Sequence, residues 1–87
     1  MNSKYDAAMG KQIKKLRQKK GLNQKELEAL LQLNGCDISR SSVSKIECGR
    51  RHIYSDEIKA VQEVLDVPFE ELFVEKPEEP EESEKLE

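Results

Sequence analysis

The chain has 87 residues, 36% hydrophobic and 38% charged, with no tryptophan and a net charge of −3. That length supports one small core, and no apolar run approaches the roughly 20 residues a membrane-spanning helix needs. Two cysteines and a single histidine form neither a disulfide framework nor a four-ligand zinc site, so no metal or cofactor is expected, and a soluble cytoplasmic protein with free thiols is the simplest reading.

The first predicted helix runs over about residues 3–20. Met9, Ile13 and Leu16 fall at i, i+4 and i+7, the spacing of one buried helical face, with Ser3 and Asp6 as a capping pair. Lysines and Arg17 crowd its last turns, where the negative end of the helix dipole favours them, and Gly21 ends it. The second helix has the clearest start in the chain. Asn23 and Glu26 have capping-box spacing, and Leu22 with Leu27 forms a hydrophobic staple, so the helix begins at Gln24. Leu27, Leu30 and Leu31 make its inward stripe, and Asn34 followed by Gly35 is a stop signal.

The third helix, over residues 39–48, is different in kind. Ser39 is its expected N-cap and Ile38 with Val43 its staple. Val43 and Ile46 point inward, which leaves Arg40, Ser41, Ser44 and Lys45 outward. Long cationic donors interleaved with short hydroxyls are the side chains that meet phosphates and base edges. A basic loop with Arg50, Arg51 and His52 follows.

The fourth helix is expected from an N-cap at Ser55, with Asp56 and Glu57 in its first turn and Ile58, Val61, Val64 and Leu65 inward. It should stop near Asp66. Pro68, at a first helical position, is expected to open a short fifth helix through Phe69, Leu72 and Phe73. From Glu75 onward two prolines and seven glutamates offer too little apolar surface to offset the entropy of ordering, so residues 75–87 are expected to be a disordered acidic tail behind a domain over 1–74.

Charge divides earlier along the chain, residues 55–74 already carrying 1 Lys/Arg against 6 Asp/Glu. Residues 1–54 carry 12 Lys/Arg against 5 Asp/Glu, whereas residues 75–87 carry 2 against 7. A basic half facing a polyanion is compatible with net acidity, because the local field governs encounter.

In this order and spacing, Ile13-Lys14-Lys15-Leu16-Arg17, Gly21-Leu22-Asn23-Gln24-Lys25-Glu26-Leu27, Ile38-Ser39-Arg40-Ser41-Ser42-Val43-Ser44-Lys45-Ile46-Glu47 with Gly49, and Leu65-Asp66-Val67-Pro68 with Glu71-Leu72-Phe73 resemble the phage-repressor-like, Xre-type helix-turn-helix family. The resemblance covers roughly residues 6–73. It implies an all-α, five-helix lambda-repressor-like domain that binds double-stranded DNA, and a transcriptional regulator, most simply a repressor. The third helix would then lie in the major groove, with Arg40, Ser41, Ser44 and Lys45 as base-reading candidates and Arg40 the first among them, since arginine can bridge two acceptors of guanine. Asn23, Gln24, Arg50 and Arg51 would meet phosphates, with a helix N-terminus behind Gln24. Arg17 and Glu47 match family positions that form a structural ion pair.

A homodimer would use Val67, Phe69, Leu72 and Phe73. The chain departs from the family by an insertion of about one helical turn at residues 32–37, which should lengthen the second helix or enlarge the turn ahead of the third. The alternative is a protein-interaction module, such as an antitoxin-like partner protein, docking through the acidic tail. An enzyme is not expected, because no nucleophile with a recognisable base and no phosphate-cradling glycine loop is present.

Overall fold

Four helices in the computed structural model end in the same way, and those endings set the shape of the chain. The structure describes residues 4–73, in which α1 spans Lys4–Lys19, α2 Gln24–Leu33, α3 Arg40–Glu47 and α4 Ser55–Leu65. Past each helix one residue turns left-handed: Gly21, Gly35 and Gly49 at φ between 77 and 90°, and Asp66 at φ 56°. The next amide then reaches back five residues, as in Leu22 to Arg17, Cys36 to Leu31, Arg50 to Lys45 and Val67 to Gln62. These are Schellman turns, which satisfy carbonyls that a helix end would leave bare.

The starts are equally explicit. Asn23 Oδ1 accepts the Glu26 amide at 2.7 Å while Glu26 Oε1 accepts the Asn23 amide at 2.8 Å, a complete capping box. Ser39 Oγ accepts the Ser42 amide at 3.1 Å. At α4 the N-cap is Tyr54 and not Ser55, which is the first helical residue. A carboxylate makes the difference: Glu57 Oε1 accepts the Tyr54 amide at 2.9 Å, so no hydroxyl is needed at the cap.

Between the helices lies one core. α1 contributes Met9, Ile13 and Leu16, α2 Leu27 and Leu31, α3 Val43 and Ile46, and α4 Ala60, Val61 and Leu65, joined by Ile38, Val67 and Leu72 from the connections. Full burial of each larger aliphatic side chain is worth about 1.5–3 kcal/mol. α1 lies directly on the end of α3, where a Cβ on Gly10 would overlap the Ile46 carbonyl oxygen and one on Gly49 would press on Ala7.

The expected fifth helix is reduced to one 3₁₀ turn, Phe69–Glu71. Pro68 stays outside it in an extended conformation, the Glu71 and Leu72 amides reach back only three residues, to the Pro68 and Phe69 carbonyls, and Val67 and Leu72 are drawn into the core on either side. That burial also corrects the expected dimer surface. Val67 and Leu72 are 8% and 0% exposed, whereas Phe69 and Phe73 remain 44% and 51% exposed.

The insertion is resolved at the loop. α2 stops at Leu33, and residues 34–39 carry the chain through the Gly35 turn to the Ser39 cap. Ser3, and with it the Ser3 and Asp6 pair, lies outside the described residues, as does the expected tail at 75–87. Among the described residues no helix is long and apolar enough to cross a membrane.

Candidate nucleic-acid interface

α3 has the two faces its sequence requires. Val43 and Ile46 are 3% and 4% exposed, Ile38 is buried beneath them, and Arg40, Ser41 and Lys45 are exposed with Ser44 half-buried. The four outward side chains join Gln24 from the start of α2 and Arg50 from the loop after α3 around a shallow hollow of about 330 Å³. Three cationic groups, two hydroxyls and an amide thus line one surface depression, a donor set suited to an anionic, hydrogen-bonding ligand.

Two other candidates stand off this wall. Asn23 spends its side-chain oxygen on its own helix cap. Arg51 turns to Glu57, with Nη1 to Oε1 at 2.9 Å and Nη2 to Oε2 at 3.0 Å. Its Nη1 also donates to the His52 carbonyl at 2.7 Å, and its guanidinium lies 5.3 Å from the Tyr54 ring centroid, within cation–π range. The bond from Arg51 holds the Glu57 carboxyl below the usual carboxylate range and outweighs the opposing effect of burial, while the Arg51 pKa is raised in turn, chiefly by that hydrogen bond.

The loop between α3 and α4 is fixed at a second point. His52 Nδ1 lies 2.8 Å from Asp6 Oδ2 on α1. Arg50 is thereby presented from a braced segment, exposed on the same side as α3.

Behind the hollow, Arg17 and Glu47 meet in a bidentate pair, Nε to Oε2 at 2.7 Å and Nη2 to Oε1 at 3.0 Å. Their side chains are only 7% and 1% exposed. The remaining donor of Arg17, Nη1, is given to the Leu22 carbonyl at 2.7 Å. Gln24 Nε2 completes the cluster, donating to Glu47 Oε1 at 3.0 Å. A buried charge is tolerable only when paired and hydrogen-bonded in this way.

Sequence reading missed two residues that touch the approach to α3. Glu28 accepts the Arg40 amide at 3.1 Å and Gln32 donates to the Ile38 carbonyl at 3.1 Å. The available signal was their four-residue spacing from Gln24 along α2. The Arg51 and Glu57 pair was missed as well; six positions apart across a loop, it has no periodic signature.

Cys36 lacks the surroundings of a reactive thiol. Burial first, and then the carboxylates of Glu57, Asp56 and Asp37, push the Cys36 thiol up from its usual range, which favours the unreactive protonated form. Cys48 is exposed. Among the described residues no group of three or more His, Cys, Asp or Glu could hold a metal ion.

Comparisons with known proteins agree with this geometry. A family model described as Helix-turn-helix (HTH_3) matches residues 13–72. Among solved structures, the restriction-modification controller protein C.AhdI from Aeromonas hydrophila is 31% identical with a TM-score of 0.68, over 77% of this chain and 94% of that one. The hypothetical transcription factor NHTF from Neisseria is 26% identical at a TM-score of 0.70, over 95% and 85% of the two chains. The DNA-binding domain of BldD shares the fold, with 22% identity and a TM-score of 0.70 over 85% of this chain and 100% of that one. No curated protein matches the chain.

Proposed function

The chain belongs to the helix-turn-helix family whose model matches residues 13–72, and from that premise we propose that it is a sequence-specific DNA-binding transcription regulator of the cytoplasm, most simply a repressor. One observation carries this reading: Arg40, Ser41, Ser44 and Lys45 of α3 converge with Gln24 and Arg50 on one basic surface hollow. α3 enters the major groove. Arg40, Ser41, Ser44 and Lys45 meet base edges, and Gln24 and Arg50 meet the flanking phosphates. Asn23 keeps the α2 N-terminus beside Gln24 in helical form. Arg51 approaches phosphate only with the part of its guanidinium that Glu57 leaves uncovered, so most of its contribution is to brace the loop that offers Arg50.

The regulator acts as a homodimer on a two-fold operator. Phe69 and Phe73, both substantially exposed, are the apolar surface a second copy covers. Two half-sites then lie about 10–10.5 bp apart or at a multiple of that spacing. Selection of bound duplexes from a random pool, followed by footprinting, tests the reading. It expects an enriched two-fold motif with two protected major-groove segments on one side of the duplex. A pool that emerges without enrichment, or a footprint confined to the minor groove, contradicts it. Phe73→Ser should lower the dimer fraction in sedimentation and leave the single-site footprint in place.

A further inference from the structure

Gln24, Glu28 and Gln32 follow one another at four-residue steps along α2, which places them on one slowly drifting stripe of that helix. Each makes a directional bond to α3 or to its lead-in. Gln24 Nε2 donates to Glu47 Oε1 at 3.0 Å, Glu28 Oε2 accepts the Arg40 amide at 3.1 Å, and Gln32 Nε2 donates to the Ile38 carbonyl at 3.1 Å. Arg40 is the first residue of α3 and Glu47 the last. α2 therefore holds α3 at both ends, and at its beginning grips the backbone on each side of the Ser39 cap.

We infer that Glu28 and Gln32 are positioning residues that set the tilt and rotation of α3, and through it the sequence preference of the DNA contact; the inference rests on the reading of α3 as the groove-entering helix. Apolar contact from Leu27 and Leu31 fixes how deeply α3 sits, but hydrophobic attraction has no direction. Hydrogen bonds do. A bidentate contact from a side chain such as Arg40 needs its helix held to about 0.5 Å and 10–20°. The six residues between Leu33 and Arg40 would otherwise leave that angle loosely specified; Gln32 holds Ile38 near their end and Glu28 holds Arg40 just past it.

The occupied amide is informative in itself. A first-turn helix N–H has no partner within its own helix, and here the Arg40 N–H is served by a carboxylate from α2, not left for a phosphate. The N-terminus of α3 is thus anchored to protein, which leaves its outward side chains to do the reading.

The test compares Glu28→Gln, Glu28→Ala and Gln32→Ala with the wild type. Three quantities are measured: the ratio of affinities for the selected and a scrambled duplex, the exchange rate of the Arg40 amide in the free protein, and the thermal midpoint. Glu28→Ala should reduce the affinity ratio about tenfold, in keeping with loss of a hydrogen bond to a charged group, without weakening binding to the scrambled duplex, and should accelerate Arg40 exchange. Gln32→Ala should do the same to a smaller degree. Glu28→Gln, whose amide oxygen still accepts, should keep the ratio within about twofold of wild type. The inference is overturned if Glu28→Ala leaves the ratio and the amide unchanged, or if Glu28→Gln loses as much as Glu28→Ala, since the charge and not the bond would then matter. A wild type that prefers no duplex removes the groove-reading function itself, an outcome distinct from a wild type that selects and a variant that selects equally well.

Discussion

Arg17 on α1 and Glu47 at the end of α3 share two hydrogen bonds of 2.7 and 3.0 Å in a setting where neither side chain is more than 7% exposed. Removing one partner strands the other as an unpaired buried charge. Arg17→Ala should therefore cost about 3–5 kcal/mol in denaturant unfolding. The double change Arg17→Met with Glu47→Leu should recover most of that loss, because it removes the desolvated charge as well as the bond. Equal destabilisation by the single and double changes would contradict the buried-charge explanation.

Gly10 reverses the usual rule for helix glycines. In an exposed helix interior, Gly→Ala gains about 0.8–1 kcal/mol. At position 10 the new methyl overlaps the backbone carbonyl oxygen of Ile46, and backbone can yield only if α1 and α3 separate. Gly10→Ala should lower stability by about 1–3 kcal/mol, the ordinary cost of overpacking. A stabilised Gly10→Ala variant in thermal or chemical unfolding would show that α1 does not approach α3 so closely.

Acid should loosen the loop that presents Arg50. Glu57 has its folded pKa depressed, first by the Arg51 hydrogen bond. Its contribution is therefore fully present above the unfolded value, about 4.3, and is lost as pH falls through the lower folded value. The stability gap between wild type and Glu57→Gln should be constant from neutral pH to about pH 5 and narrow below about pH 4. A gap that does not narrow in unfolding titrations at pH 7, 5, 4 and 3 would deny the linkage.

Arg40 and Arg50 differ in place, and so in predicted effect. Arg40 opens the reading helix, whereas Arg50 follows its end. Arg40→Ala should cost about 1–3 kcal/mol at one base position and relax preference there. Arg50→Ala should weaken all duplexes alike and reduce the salt slope by about 1. Position-by-position binding to single-base variants of the selected site separates them, and sequence-blind losses from both would refute the role given to Arg40.

How much of this could be read from the residues alone follows from the range of the interactions. The cap at Asn23 and the glycine stops depend on neighbours within a few positions, and local pattern found them. The start of α4 was misplaced by one residue because Glu57 does the capping through its carboxylate. The fifth helix failed for a tertiary reason: Val67 and Leu72 are both taken by the core, and the chain between them, with Pro68 extended, makes a single 3₁₀ turn. The same burial removed half of the expected dimer surface. Within the site, the outward set on α3 followed from helical periodicity, but the engagement of Arg51 by Glu57 and of the Arg40 amide by Glu28 depends on how loops and helices meet in space.

The most direct test of α3 as a DNA reader is the affinity for a selected and a scrambled duplex measured across salt concentration. Log K against log[salt] should fall steeply for both, since phosphate contacts release counterions. At physiological salt the selected duplex should bind at least about 10³-fold more tightly. A flat salt dependence, or equal affinity for the two duplexes, would contradict the account.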